Sequence, residues 1–277
     1  MRMQKAFGAA LLVLVVVAAC GCGGGTTSSS NKGTVILATT TSTEDSGIMD
    51  EFVKRFEAEY HYDVKPVAVG SGAALFMGQN GDADILLTHE PKAEKEFVDK
   101  GDAQASWQLM HNNFVIVGPP SDPAHIKGMT SGADAMKAIA ASGSPFVSRG
   151  DASGTNAMEM SLWEQAGVSP AGQPWYIEAG AGMGETLRIA EQKQAYAVSD
   201  KATYTVLSKG LDLKLYIDND PTMVNRYTVT VVNHEKFPGT NIAGALAFSN
   251  FLKEPSTRKL IKDFGMDKYK QHLFFLD

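Results

Sequence analysis

Apolar residues fall into two kinds of run along this chain. Short continuous runs read as buried strands: residues 34–38 (TVILA), 64–69, 81–88 (GDADILLT, apolar in its second half), 113–117 (NFVIV), 175–178, 196–198 and 227–232 (YTVTVV). Between them lie stretches of helical period. Residues 48–60 carry a stripe of Ile48, Met49, Phe52, Val53 and Phe56. Further helices are expected at 73–77, 94–100, 133–141, from about 155 to Gly167, and at 185–192, 202–209, 243–252 and 256–264. Asp45 or Ser46 would cap the helix at 48. Strand and helix alternate from the start, which predicts a parallel sheet with helices on its faces. Ligands of such sheets lie beyond the carboxyl ends of the strands. The run NFVIV, stopped by Gly118, Pro119 and Pro120, reads as a crossing into a second lobe, and YTVTVV as the return. The pattern therefore predicts two α/β lobes with a cleft between them. Their expected extents are 33–114 plus 227–277 for the first lobe and 115–226 for the second.

One stretch concentrates the chemistry. In residues 146–163 (FVSRGDASGTNAMEMSLW) a short apolar run stops at Arg149, small residues follow, and Met158, Leu162 and Trp163 take up a helical spacing. A helix start exposes unpaired N–H groups and partial positive charge. A guanidinium and the hydroxyls of Ser153 and Thr155 beside it make an anion site. The competing reading is local: Ser153 or Thr155 caps the helix, and Arg149 pairs with Asp151 or Glu159. Two more stretches weigh toward the anion. Five hydroxyl residues, Thr39 to Thr43, follow the first strand, and Ser71 stands where the second strand gives way to a helix. Thr40, Thr41 and Ser71 would face the cleft from the first lobe, and Arg149, Ser153 and Thr155 from the second. The glycines at 180, 182 and 184 lack the dinucleotide-binding spacing and read as a helix-capping turn.

The first residues are an address. Arg2 and Lys5 precede an Ala/Val-rich run that ends in small residues before Cys20, so residues 1–19 read as a signal peptide. VAAC, residues 17–20, resembles a lipobox, with Cys20 the lipid-bearing residue and Cys22 the alternative. Residues 20–32 then form a flexible tether. The chain has two cysteines, so the folded part has no disulfide and no cysteine-held metal. Of 25 basic residues, the leader takes Arg2 and Lys5; the remaining 23 face 31 acidic ones, a net of −8. That excludes a nucleic-acid footprint and means that an anion must be captured by a local site.

No P-loop, HExxH or GxSxG motif occurs, and the six histidines have no ligand spacing. His89, just past a strand end, reads as a satisfied polar residue. What remains is donors: hydroxyls, helix-start N–H groups and an arginine. That set suits a fully deprotonated tetrahedral oxoanion, which accepts hydrogen bonds and donates none. Phosphate keeps a proton near neutral pH and would reward a carboxylate acceptor. Asp45 and Asp151 are the acids close enough in sequence, and both are expected to cap helices.

The segments LATTTSTEDSG (37–47), GSGAALFMGQNGDADILLTH (70–89), NNFVIVGP (112–119), SRGDASGT (148–155) and GMGETLRIAEQKQAYAVSD (182–200) together resemble the tungstate-binding proteins of tungstate ABC transporters, the TupA family. The resemblance implies a two-lobed type II periplasmic-binding-protein fold with the ligand in the interlobe cleft. It implies tungstate as ligand, with molybdate second and phosphate or sulfate as the alternative. There would be no catalytic activity, no cofactor, and no metal beyond the oxoanion's own. The family's ligand residues fall on Thr40, Thr41 and Ser42 of the hydroxyl run and on Ser71, Arg149 and Thr155, with Ser153 a neighbour. The implied partners are a membrane permease and its ATPase. The protein would be exported, monomeric and held at the membrane by lipid on Cys20; the competing role is an anion-sensing ectodomain.

Overall fold

The computed structural model describes residues 31–276, so the signal peptide, Cys20 and most of the expected tether lie outside the described residues. The run TVILATT forms β1 (Thr34–Thr40) and leads straight into α1 (Thr41–Ser46) and α2 (Ile48–Tyr60). β2 (Asp63–Val69), α3 (Ser71–Asn80), β3 (Ile85–Thr88) and α4 (Pro91–Asp99) follow. Next come β4 (Ala103–Gly118), α5 (Gly132–Ser142), β5 (Phe146–Ser148), α6 (Gly154–Gln165) and β6 (Tyr176–Glu178). Then α7 (Met183–Gln192), β7 (Ala197–Asp200), α8 (Lys201–Leu207), β8 (Lys214–Ile217) and β9 (Val224–Val232). The chain closes with α9 (Ile242–Lys253), α10 (Pro255–Asp263), α11 (Met266–Tyr269) and β10 (Phe275–Leu276).

The main sheet runs β10-β4-β9-β3-β1-β2, and β7 and β8 pair with the far end of β4. β1 pairs in parallel with β2 and β3, as the strand–helix alternation predicts. The rest of the sheet departs from an all-parallel expectation: β9 lies antiparallel to both β3 and β4. The hydrophobic pattern did not predict β8, β10 or the first half of β4. From Ala103 to Gln108 β4 alternates half-buried and exposed positions, whereas Phe114 to Gly118 is buried throughout.

β4 carries this change because it serves two cores. Residues 103–113 pair with β9, and Phe114 to Val117 pair with β7. Around the buried end the side chains split by period two, as pleating requires. Phe114 and Ile116 join Phe146, Trp163 and Tyr196. Val115 and Val117 join Val147, Met183 and Leu187. Across β1 the same split places Val35 and Leu37 with Phe52, Phe56 and Phe248, and Ala38 with Leu86 and Phe97. The helices thus cover both faces, and the strand ends that carry hydroxyls open onto helix starts.

The hydroxyl run is not a loop: Thr39 and Thr40 end β1, and Thr41 to Thr43 begin α1. Thr43 Oγ1 donates to the Thr40 carbonyl at 2.6 Å and Ser46 Oγ to the Thr43 carbonyl at 2.8 Å, so the side chains tie down a turn that their intrinsic propensity opposes. Gly47 stops α1 at φ 81, a left-handed conformation that glycine adopts without strain, and is itself the N-cap residue of α2. Gly47 holds the N-cap position of α2, and Ser46 Oγ takes up its first N–H, accepting from Ile48 N at 3.4 Å; Asp45 reaches instead to another helix.

Candidate functional site

Four helix starts converge beyond the strand ends. α1 begins after Thr40, α3 after Gly70, α6 after Ser153 and α7 after Gly182. The N-cap residues of α1, α3 and α7 make no side-chain cap, although at α7 two side chains from α1 take that place; Ser153 caps α6, accepting from Asn156 N at 3.2 Å. Close approach is built in with glycines. A Cβ added at Gly72 would lie 3.1 Å from the Ala152 carbonyl, and one at Gly70 3.5 Å from Ser153. At Gly154 it would collide with the carbonyl and ring of His89.

α1 and α7 are stitched directly. Gly184 N donates to Asp45 Oδ2 at 3.0 Å, and Met183 N to Thr41 Oγ1 at 3.4 Å. Two residues of α1 thereby cap the start of α7 from outside. Burial pushes the Asp45 carboxyl up, and the Gly184 N–H and the charge of Arg149 hold it back. From α8, Thr203 Oγ1 donates to the Ser42 carbonyl at 3.4 Å.

Arg149 leaves β5 and is buried, 1% exposed. Its Nη2 is paired with Asp151. Its Nε and Nη1 are buried with no hydrogen-bond partner among the described residues, and so is Thr155 Oγ1. The loop around it is fixed from below. Glu159, pushed up by burial, accepts from Ser148 Oγ at 2.6 Å, Tyr176 OH at 2.8 Å and Trp163 Nε1 at 3.1 Å. Ser148 Oγ in turn accepts from Gly150 N at 3.1 Å. Gly150 has φ 62 and Ala152 φ 53, two left-handed residues in one short loop, of which the alanine carries strain.

Both local readings of this stretch therefore hold: Ser153 caps α6, and Arg149 pairs with Asp151, not Glu159. Neither exhausts the donors. Buried polar atoms are nearly always partnered, and an orphaned one costs about 1–3 kcal/mol, more for a charged group. Three orphans, two on Arg149 after β5 and one on Thr155 at the start of α6, mark a place for an acceptor-rich, negatively charged group.

The hydroxyls predicted from sequence lie close by. Thr40, Ser42, Ser71, Ser153 and Thr155 are buried and Thr41 is half-buried. Thr40 Oγ1 lies 3.1 Å from Ser42 Oγ, Ser42 Oγ lies 3.3 Å from His89 Nε2, and the His89 main-chain N–H donates to Ser71 Oγ at 3.2 Å. His89 is thus a hub that sequence reasoning set aside. Burial, and then the charge of Arg149, push its imidazole down to about 3, so it is neutral at physiological pH.

Known proteins resemble this chain over most of its length. The family model for the PBP superfamily domain matches residues 24–255. The tungstate-binding protein TupA of Peptoclostridium acidaminophilum is 39% identical over 84% of this chain and 82% of its own length. This chain belongs to the TupA family. A Haloferax volcanii relative is 42% identical over 80% of this chain, which spans 66% of that protein. The structure of TupA from Desulfovibrio alaskensis G20 superposes with a TM-score of 0.73 at 41% identity, covering 88% of this chain and 98% of that one. The fold of this TupA-family chain is accordingly the two-lobed type II periplasmic-binding-protein fold.

Proposed function

We propose that this protein captures tungstate, with molybdate as a second ligand, outside the cytoplasm and delivers it to an ABC permease and its ATPase. The observation that carries this reading is the buried Arg149 with Nε and Nη1 unpaired, together with the unpaired Thr155 Oγ1. The relatives' names, tungstate-binding protein TupA, point to the same ligand. The proposed ligand set is Arg149 and Thr155 with Ser71, Ser153 and the run Thr40, Thr41 and Ser42. Asp45 and Asp151, the acids that would reward a protonated phosphate, are both committed: Asp45 to Gly184 N, Asp151 to Arg149 and, at 3.2 Å, to Ser153 N. That favours an anion with no proton to donate.

A purely binding role, with no chemistry and no cofactor, fits the Ser42–His89 pair, whose imidazole at about 3 is no base near neutral pH. The lobes in this reading are residues 33–114 plus 227–277 and residues 115–226, joined where β4 and β9 pass between the two sets of cores. The protein would act as a monomer, exported by its signal peptide and held by lipid on Cys20. Isothermal titration of anion-stripped protein with tungstate, molybdate, sulfate and phosphate tests the reading. One-to-one tungstate binding with negligible sulfate and phosphate is the expected result; phosphate binding instead overturns it.

A further inference from the structure

A line of buried polar side chains runs from the crossing strands to the hydroxyl run. Asp200, the N-cap residue of α8, accepts from Asn112 Nδ2 at 3.4 Å. This turns Asn112 Oδ1 toward Asn225, whose Nδ2 donates to it at 2.8 Å and to the Tyr227 hydroxyl at 2.9 Å. The Asn225 amide is therefore fixed, and its Oδ1 is left buried without a partner. His89 Nδ1 is also buried without a partner, and both residues line one cavity of about 240 Å³. On its other edge the His89 ring meets Ser42 Oγ through Nε2, at 3.3 Å. Tyr227 and Phe114 hold the ring in place, with centroids at 5.0 and 6.1 Å.

A neutral imidazole has one N–H and one acceptor nitrogen, and the hydrogen bond made by one nitrogen sets the tautomer. With the proton on Nε2, both Nδ1 and Asn225 Oδ1 would be buried acceptors without a donor. With the proton on Nδ1, the ring presents a donor to the cavity that the orphaned oxygen's residue also lines, and Nε2 becomes an acceptor facing Ser42. The Asn225 side chain acts on the ring in the sense that favours its protonation.

We propose that His89 sorts the hydroxyls of the cage. Its ring, protonated on Nδ1 toward Asn225, takes the Ser42 proton on Nε2, while its main-chain N–H fills the Ser71 oxygen and turns the Ser71 proton into the cage. Ser71 is then a donor to the bound oxoanion, and Ser42 is a positioning hydroxyl. Thr40, 3.1 Å from Ser42 Oγ, is then the donor of that hydrogen bond, because the Ser42 proton is given to the ring. Asp200 at the far end of the line sets the polarity of every bond in it. This deepens the oxoanion reading above and rests on it for its ligand.

The test is the ring tautomer of His89, read by long-range proton–nitrogen correlation on histidine-labelled protein and assigned with His89→Gln. The expected result is the Nδ1–H form from pH 5 to 8, with and without tungstate, and its loss in Asn225→Leu. An Nε2–H form in the wild-type protein overturns the proposal. Should Asn225→Leu fail to fold, titration calorimetry with tungstate gives the second measure. Ser71→Ala weakens binding roughly tenfold or more, the loss of a buried donor, and Ser42→Ala by a clearly smaller factor. Equal losses refute the sorting. If the wild-type protein binds no oxoanion, the functional reading fails, while the tautomer in ligand-free protein still decides this inference.

Discussion

Replacing Arg149 by alanine separates a binding guanidinium from a structural one. In the ligand-free protein the side chain has mixed value. It pairs with Asp151, whose carboxylate is 21% exposed, yet it holds Nε and Nη1 buried and unsatisfied. Removing it loses the pair and also removes the desolvation cost of two orphaned donors, terms that oppose each other. The ligand-free melting temperature of Arg149→Ala therefore stays near that of the wild type. Binding has no such compensation. A dianion enters a buried site without its guanidinium countercharge, a loss of about 2–5 kcal/mol, or roughly 30- to several-thousand-fold in Kd. Arg149→Lys keeps the charge but not the fork that gives Nη2 to Asp151 while Nε and Nη1 face the ligand, so it recovers only part of the affinity. Calorimetric titration with tungstate alongside thermal melts reads both quantities. An Arg149→Ala variant that binds within threefold of wild type refutes the assignment of the site.

Three further outcomes follow from the same geometry. Tungstate at about a hundred times its Kd adds about 2.7 kcal/mol of stability and raises the melting temperature by roughly 5–11 °C, whereas sulfate at the same concentration leaves it unmoved. Gly154→Ala forces a methyl group into the carbonyl and ring of His89, costs about 1–3 kcal/mol in urea titrations, and weakens tungstate binding because the two sides can no longer meet. Burial pushes Asp200 up from 3.8 to about 6. The unfolded chain therefore releases this proton first, and the Asp200 contribution to stability falls as pH rises from about 4 to about 6, by about 3 kcal/mol in all; Asp200→Asn removes that fall in denaturant titrations across the range.

The strand ends and helix starts that frame the site were legible because their signals are local. A buried run such as TVILA, a glycine such as Gly70 and a hydroxyl such as Ser71 announce a strand stop and a helix start without knowledge of the rest of the fold. The antiparallel course of β9 was not legible, because the pairing of Ile85 with Val231 joins residues far apart in the chain and nothing in either run encodes the direction of the other. The first half of β4 was hidden because one of its faces is solvated, which dilutes the apolar pattern. The helical state of Thr41–Ser46 was hidden because threonine and serine disfavour helix interiors; here their hydroxyls bond back to the main chain, and packing against α7 and α8 completes the turn.

The chemistry divides along the same line. Arg149 and its neighbours could be read as an anion site from composition alone, but whether that anion carries a proton depends on which acids are free, and that is a tertiary fact. Asp151 is held by Arg149 and Ser153 N, and Asp45 by Gly184 N on a helix 139 residues away. The same contact that stitches α1 to α7 thus withholds a carboxylate acceptor from the ligand. Asp45 serves both the joining of the two helices and, with Asp151, the selectivity against a protonated oxoanion. Asp45→Ala accordingly lowers stability and leaves phosphate no better accommodated, because the acceptor is removed and not freed.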